Sequence, residues 1–144
     1  MGGETLLLIR VEDLRGISHL LAARSRDGVT GWRFDPTPLI APEPDKHPEE
    51  IWGCEDPRLT RIGATIYMAY TAFDGMHPPR VALTSISVKD FEAKKWGKWA
   101  APVLASPDNV ADKDACLMPE KIDKQYMWIH RIDPLICADF LDSL

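Results

Sequence analysis

Short apolar runs alternate with polar, glycine- and proline-rich turns along the whole chain. The first run, Thr5 to Val11 (TLLLIRV), leads through EDLRG into Ile17 to Ser25 (ISHLLAARS), and the polar turn RDGVTG closes on Trp32. A second cycle opens at Thr65 (TIYMAYTA), turns through FDGMHPP, returns as Arg80 to Ser87 (RVALTSIS) and ends at Trp96. A third opens at Gln125 (QYMWIHR), turns at Asp133-Pro134 and returns as LICADF. Apolar runs of this length bounded by turn residues read as β-strands. Twelve prolines and nine glycines leave little room for long helices. A helical reading stays open for ISHLLAARS, and VKDFEAKK reads as a single helical turn capped by Ser87.

The opening strands of the three cycles begin about sixty residues apart, at Leu6, Ile66 and Tyr126, and Trp32 and Trp96 are separated similarly. Self-similarity at a fixed period points to a repeat architecture, and blades of antiparallel strands belong to β-propellers. The competing reading is an ordinary β-sandwich whose hairpins match by coincidence. The expected class is therefore all-β: one propeller domain over residues 1–144, with blade-like units at about 4–34, 53–99 and 113–144. Between the first two lies a connector, 35–50, that holds five prolines, while Leu39 and Ile40 within it argue for an ordered rim loop.

Composition narrows the function classes. A chain of 144 residues and 16.2 kDa, 45% hydrophobic and 27% charged, has the make-up of one globular domain. With 17 Lys+Arg against 22 Asp+Glu the net charge is -5, which argues against a nucleic-acid or membrane-surface binder held by a bulk positive field. No apolar run approaches the ~18 residues that span a bilayer, and Met1-Gly2-Gly3-Glu4 lacks a signal peptide's basic and apolar regions. Cys54, Cys116 and Cys137 are odd in number and lack CxxC spacing, so free thiols in a cytoplasmic setting are expected, with no disulfide framework and no metal site.

Two stretches carry candidate chemistry. In Gly53-Cys54-Glu55-Asp56-Pro57-Arg58, Pro57 biases Asp56 towards extended geometry, so Asp56 and Arg58 are expected to share a face while Glu55 points elsewhere. A carboxylate beside a guanidinium reads either as a salt bridge or as part of a site, and the arginine opposes a general-acid role by lowering the carboxyl pKa. Farther along, Lys113-Asp114-Ala115-Cys116-Leu117-Met118-Pro119-Glu120-Lys121-Ile122 leads into Trp128-Ile129-His130-Arg131. A cationic pair ending an apolar strand is expected to face a polar cavity, a carboxylate or an anionic ligand. Arg131 paired at the surface with Asp133 or Glu120 is the plainer alternative.

Taken together, GCEDPRLT and KDACLMPEKIDKQYMWIHR resemble glycoside hydrolase family 130, the β-mannoside phosphorylases and related mannosidases, and LLIRVE with SRDGVTGW is similar to that family's first blade. The resemblance implies a five-bladed β-propeller with its active site at the mouth of the central channel, of which this chain supplies about two and a half blades. It implies inverting cleavage of β-mannosides, with Asp56 as proton donor acting through a sugar hydroxyl. Arg10, Arg58 and Tyr70 are then substrate-binding residues, and Lys113, Lys121, His130 and Arg131 surround phosphate. Inorganic phosphate is the implied co-substrate, no cofactor is implied, and the implied ligand is a mannose-containing oligosaccharide. If phosphate is the nucleophile, the protein supplies cations in place of a second carboxylate. The likeness covers only the middle portion of family members, so two copies are expected to close the ring as a homodimer. A partial pocket loses the positioning on which rate depends. A non-catalytic carbohydrate- or anion-binding module, or a self-associating propeller fragment, is therefore the alternative expectation.

Overall fold

Each apolar run becomes a strand in the computed structural model, which describes residues 3–144. In chain order the elements are β1 (Thr5–Glu12), β2 (Ser18–Ser25), β3 (Arg33–Phe34), β4 (Gly53–Ile62), β5 (Thr65–Phe73), β6 (Arg80–Ser87), α1 (Val88–Glu92), β7 (Val103–Leu104), β8 (Asp112–Leu117), β9 (Tyr126–Ile132) and β10 (Leu135–Leu141). Two 3₁₀ turns, Pro48–Glu50 and Trp96–Lys98, complete the inventory of an all-β chain with few helices. ISHLLAARS is a strand: Ser18 to Ser25 pair residue by residue with β1, and Ala23 and Arg24 pair with β3 on the other edge. Pairing on both edges outweighs the helical pattern.

Antiparallel neighbours follow chain order, β1-β2-β3, then β4-β5-β6-β7, then β8-β9-β10. A parallel bridge, Ser18 to Gly53, joins the first two groups into a seven-stranded sheet, and the third forms a sheet of its own. Neither sheet closes on itself among the described residues. The bridge explains the glycine. Gly53 has φ +133°, and a Cβ there would stand 2.5 Å from the Ser18 backbone nitrogen.

Strands β5 and β6 form the middle layer. Alternate side chains of a strand take opposite faces, and here both faces are covered. Ile66, Met68, Tyr70 and Ala72 pack with Leu20, Ala22, Leu39, Cys54, Ala82, Ile86 and Phe91. Ala69 packs on the other side with Val81, Ala115, Leu117 and Trp128. The proline-rich connector is ordered by the same packing, since Leu39 is buried and its N–H donates to Leu20 O at 2.8 Å. Helix α1 is the capped single turn the sequence implies: Asp90 N–H donates to Ser87 Oγ at 3.0 Å. It buries Phe91, whose ring meets Trp96 and Trp99 edge-on at centroid distances of 5.2 and 6.0 Å.

In the β5–β6 turn, Asp74 accepts the backbone N–H groups of His77 (2.8 Å) and Met76 (2.9 Å). The His77 N–H leads in holding its carboxyl down from 3.8 to about 2, against a smaller opposing desolvation. A carboxyl with a depressed folded pKa contributes stability above its unfolded pKa and loses it as pH falls through the folded value. Urea midpoints should therefore drop as pH is lowered from about 4 to about 2, and Asp74→Asn should flatten that slope. Phe91→Ala should cost ~3–5 kcal/mol by leaving a cavity under the two indoles, read from the same urea curves at pH 7.

Candidate active site

The site is built on a device used twice. In β4, Glu55 pairs with Thr71 and Arg58 with Ala69, so Asp56 and Pro57 together oppose Tyr70. In β8, Lys113 pairs with Arg131 and Cys116 with Ile129, so Asp114 and Ala115 together oppose His130. Both are β-bulges in the first strand of a group, and each places an aspartate in the left-handed region, Asp56 at φ +50° and Asp114 at φ +58°. Aspartate tolerates that region better than most residues, through local hydrogen bonding of its short side chain. The extended Asp56 expected from Pro57 is thus replaced by a bulge. Because a bulge resets the alternation of side chains, Glu55 does not point away but joins Asp56 at the same arginine.

That arginine is Arg10, near the end of β1. Its guanidinium lies 3.0 Å from Glu55 and 3.8 Å from Asp56, and it also meets Glu12 at 2.8 Å while Nε donates to Ser18 Oγ at 3.0 Å. Burial pushes the Glu55 carboxyl above its ordinary value; the charge of Arg10 opposes this, Asp56 and Glu12 add to it, and Lys113 opposes it more weakly. From the next strand position, Arg58 reaches 3.7 Å to Asp114 Oδ1 in the third group. Arg131 Nε donates to Asp114 Oδ2 at 2.8 Å, and its other end meets Asp133 at 3.1 Å. Arg10 with Glu55 and Asp56, and Arg58 with Asp114 and Arg131, thus form two neighbouring charge clusters linked through β4, and Lys113 pairs with Arg131 in the strand register.

Three predicted site residues are not brought into this string. Tyr70 is 2% exposed, on the core face of β5, and donates to Glu50 Oε1. Burial, reinforced by the Glu50 charge, pushes its phenol far above the ordinary range. It lines a cavity of about 460 Å³ between the connector and residues 96–102, apart from the charged string. His130 is 4% exposed; Nδ1 lies 3.0 Å from each Asp112 oxygen and Nε2 lies 3.2 Å from Asp139. Adjacent residues of a regular strand face opposite ways, so His130 and Arg131 do not form one cationic pair. Lys121 sits in the exposed β8–β9 connection, its ammonium 4.2 Å from the centre of the Tyr126 ring. Two residues of the string were passed over by the sequence reading, Glu55 and Asp114. Both lay inside the quoted motifs, but only strand pairing reveals the bulges that turn them towards arginines. No group of three or more His, Cys, Asp or Glu residues able to hold a metal occurs among the described residues.

Residues 10–141 match the family described as beta-1,4-mannooligosaccharide phosphorylase. The chain belongs to glycoside hydrolase family 130. It is 36% identical over 123 residues to a beta-1,2-mannobiose phosphorylase of Thermoanaerobacter sp. (strain X514), covering 85% of this chain and 37% of that protein. It is 37% identical over 131 residues to a 1,2-beta-oligomannan phosphorylase of the same strain, covering 89% and 40%. Among solved structures, beta-1,2-mannobiose phosphorylase from Listeria innocua, in complex with beta-1,2-mannobiose, superposes with a TM-score of 0.65 at 25% identity, covering 88% of this chain and 34% of that one. This family 130 chain therefore spans about two-fifths of the length of those curated relatives, and its two bulged aspartates lie within the matched segment.

Proposed function

We propose that this chain carries the acid side and part of the anion-binding wall of an inverting phosphorylase for β-linked mannooligosaccharides, in the form of about two and a half blades of a five-bladed propeller. The observation that carries this reading is the neighbouring pair of clusters, Arg10 with Glu55 and Asp56, and Arg58 with Asp114 and Arg131. The relatives support the substrate class, being phosphorylases of β-1,2-mannobiose and 1,2-β-oligomannan.

In this reading Asp56 gives its proton, through a sugar hydroxyl, to the oxygen of the leaving sugar. A phosphate oxygen attacks the anomeric carbon from the opposite face, so the glycosidic C–O bond breaks as a new C–O bond to phosphate forms. Asp56 ends as a carboxylate, the leaving sugar takes the proton, and the product is a mannosyl phosphate of inverted configuration. Lys113, Arg58 and Arg131 neutralise the dianion, the arginines offering paired N–H groups that match its oxygens. Arg10 holds Glu55 and Asp56 at the mouth of the site. His130, pinned to Asp112 in the core, supports β9 behind Arg131, and no phosphate contact is assigned to it.

With β-1,2-mannobiose and inorganic phosphate, the chain should release mannosyl phosphate. Asp56→Asn, which keeps a residue tolerant of positive φ, should lower that rate at least about 100-fold with circular dichroism unchanged. Binding of mannobiose without turnover in the unmodified chain would assign it instead to a non-catalytic sugar-binding role. We also propose self-association: β1 and β10 are terminal strands of their sheets, and β10 exposes Ile136 (80%) and Phe140. Light scattering at micromolar concentration should give about twice 16.2 kDa, and a monomer mass would refute it.

A further inference from the structure

Arg58 and Arg131 come from different sheets and converge on one carboxylate. Asp114 offers Oδ1 to Arg58 at 3.7 Å and Oδ2 to Arg131 at 2.8 Å. Two guanidiniums bridged by the oxygens of one anion is also the arrangement by which arginines hold a phosphate dianion. The three side chains remain 34%, 47% and 32% exposed for Asp114, Arg58 and Arg131, so a solute anion can reach them. Lys113 stands opposite Arg131 in the strand register, and Asp133 lies 3.1 Å from Arg131.

We propose that Asp114 is an internal stand-in for phosphate that competes with the co-substrate for Arg58 and Arg131 and so sets the phosphate affinity of the site. The inference rests on the phosphate-site reading above and goes beyond it by naming the residue that limits it. The bulge makes the competition possible: at φ +58° the Asp114 side chain is carried to both arginines. Phosphate enters by replacing a single negative charge with a double one on the same donors, and Arg131 retains Asp133 during the exchange.

Calorimetric titration of the intact chain with inorganic phosphate tests this. Asp114→Asn keeps a residue suited to positive φ and removes the competing charge. It should bind phosphate about tenfold more tightly than the unmodified chain, the order expected from two partly exposed ion pairs. Adding Arg131→Gln to Asp114→Asn should abolish the gain. Equal or weaker binding by Asp114→Asn would overturn the inference, since Asp114 would then be orienting the arginines for the ligand. If the unmodified chain binds phosphate and the variant gains nothing, only this inference falls; if neither binds, the phosphate-site reading falls with it. A measurement without any variant guards against misfolding: on phosphate addition, the Asp114 ¹³Cγ and Arg131 Nε–H resonances should shift saturably together. A shift of Arg131 with Asp114 unmoved would overturn the competition.

Discussion

The charge clusters of this chain depend on two bulges that hold Asp56 and Asp114 at positive φ in the first strands of successive groups. A regular strand would send alternate side chains to opposite faces and scatter the charged residues. Each bulge inserts one residue, turns the strand and brings side chains adjacent in sequence towards the same partners. Arg10 can therefore meet Glu55 and Asp56 together, and Asp114 can meet arginines from β4 and β9.

Opposite each bulge stands a buried polar side chain with a carboxylate partner. The residue opposite the first is Tyr70, tied to Glu50, and the residue opposite the second is His130, tied to Asp112. Asp112 in turn accepts from Ser106 Oγ at 2.8 Å, and Ser106 Oγ accepts the Val81 N–H at 2.6 Å, so the third group is anchored to the middle sheet through hydrogen bonds as well as through Ala115, Leu117 and Trp128. Buried polar groups are tolerable only when paired. These two pairings sit on the core side of the same strand positions whose other side carries the site. The core and the charged string are thus two faces of one construction.

The clusters also show why a cation-rich motif is not by itself an empty anion site. Arg10 already has three carboxylates, and Arg58 and Arg131 share a fourth. A solute anion at either cluster meets arginines that already have carboxylate partners. Glu55 sits in a balance of its own. Its burial and its acidic neighbours favour the protonated form, while Arg10 favours the charged one.

From the sequence by itself, strands such as TIYMAYTAF and RVALTSIS were legible from their apolar runs and the turn residues that precede them, and the Ser87-capped turn from a local hydrogen bond. The sequence also carried the family, through GCEDPR and the KDA…HR stretch, and with it Asp56, Arg10, Arg58, Lys113 and Arg131 as candidates. Tertiary structure decided the rest. Whether ISHLLAARS became helix or strand turned on having partners along both edges. Whether Glu55 and Asp114 faced arginines turned on register against β5 and β9, which no local pattern encodes. The assignment of Tyr70 and His130 to the core turned on burial beside Glu50 and Asp112, residues distant in the chain. Local propensity acts over a few residues, whereas the direction of a side chain at a bulge is set by the strand paired across from it.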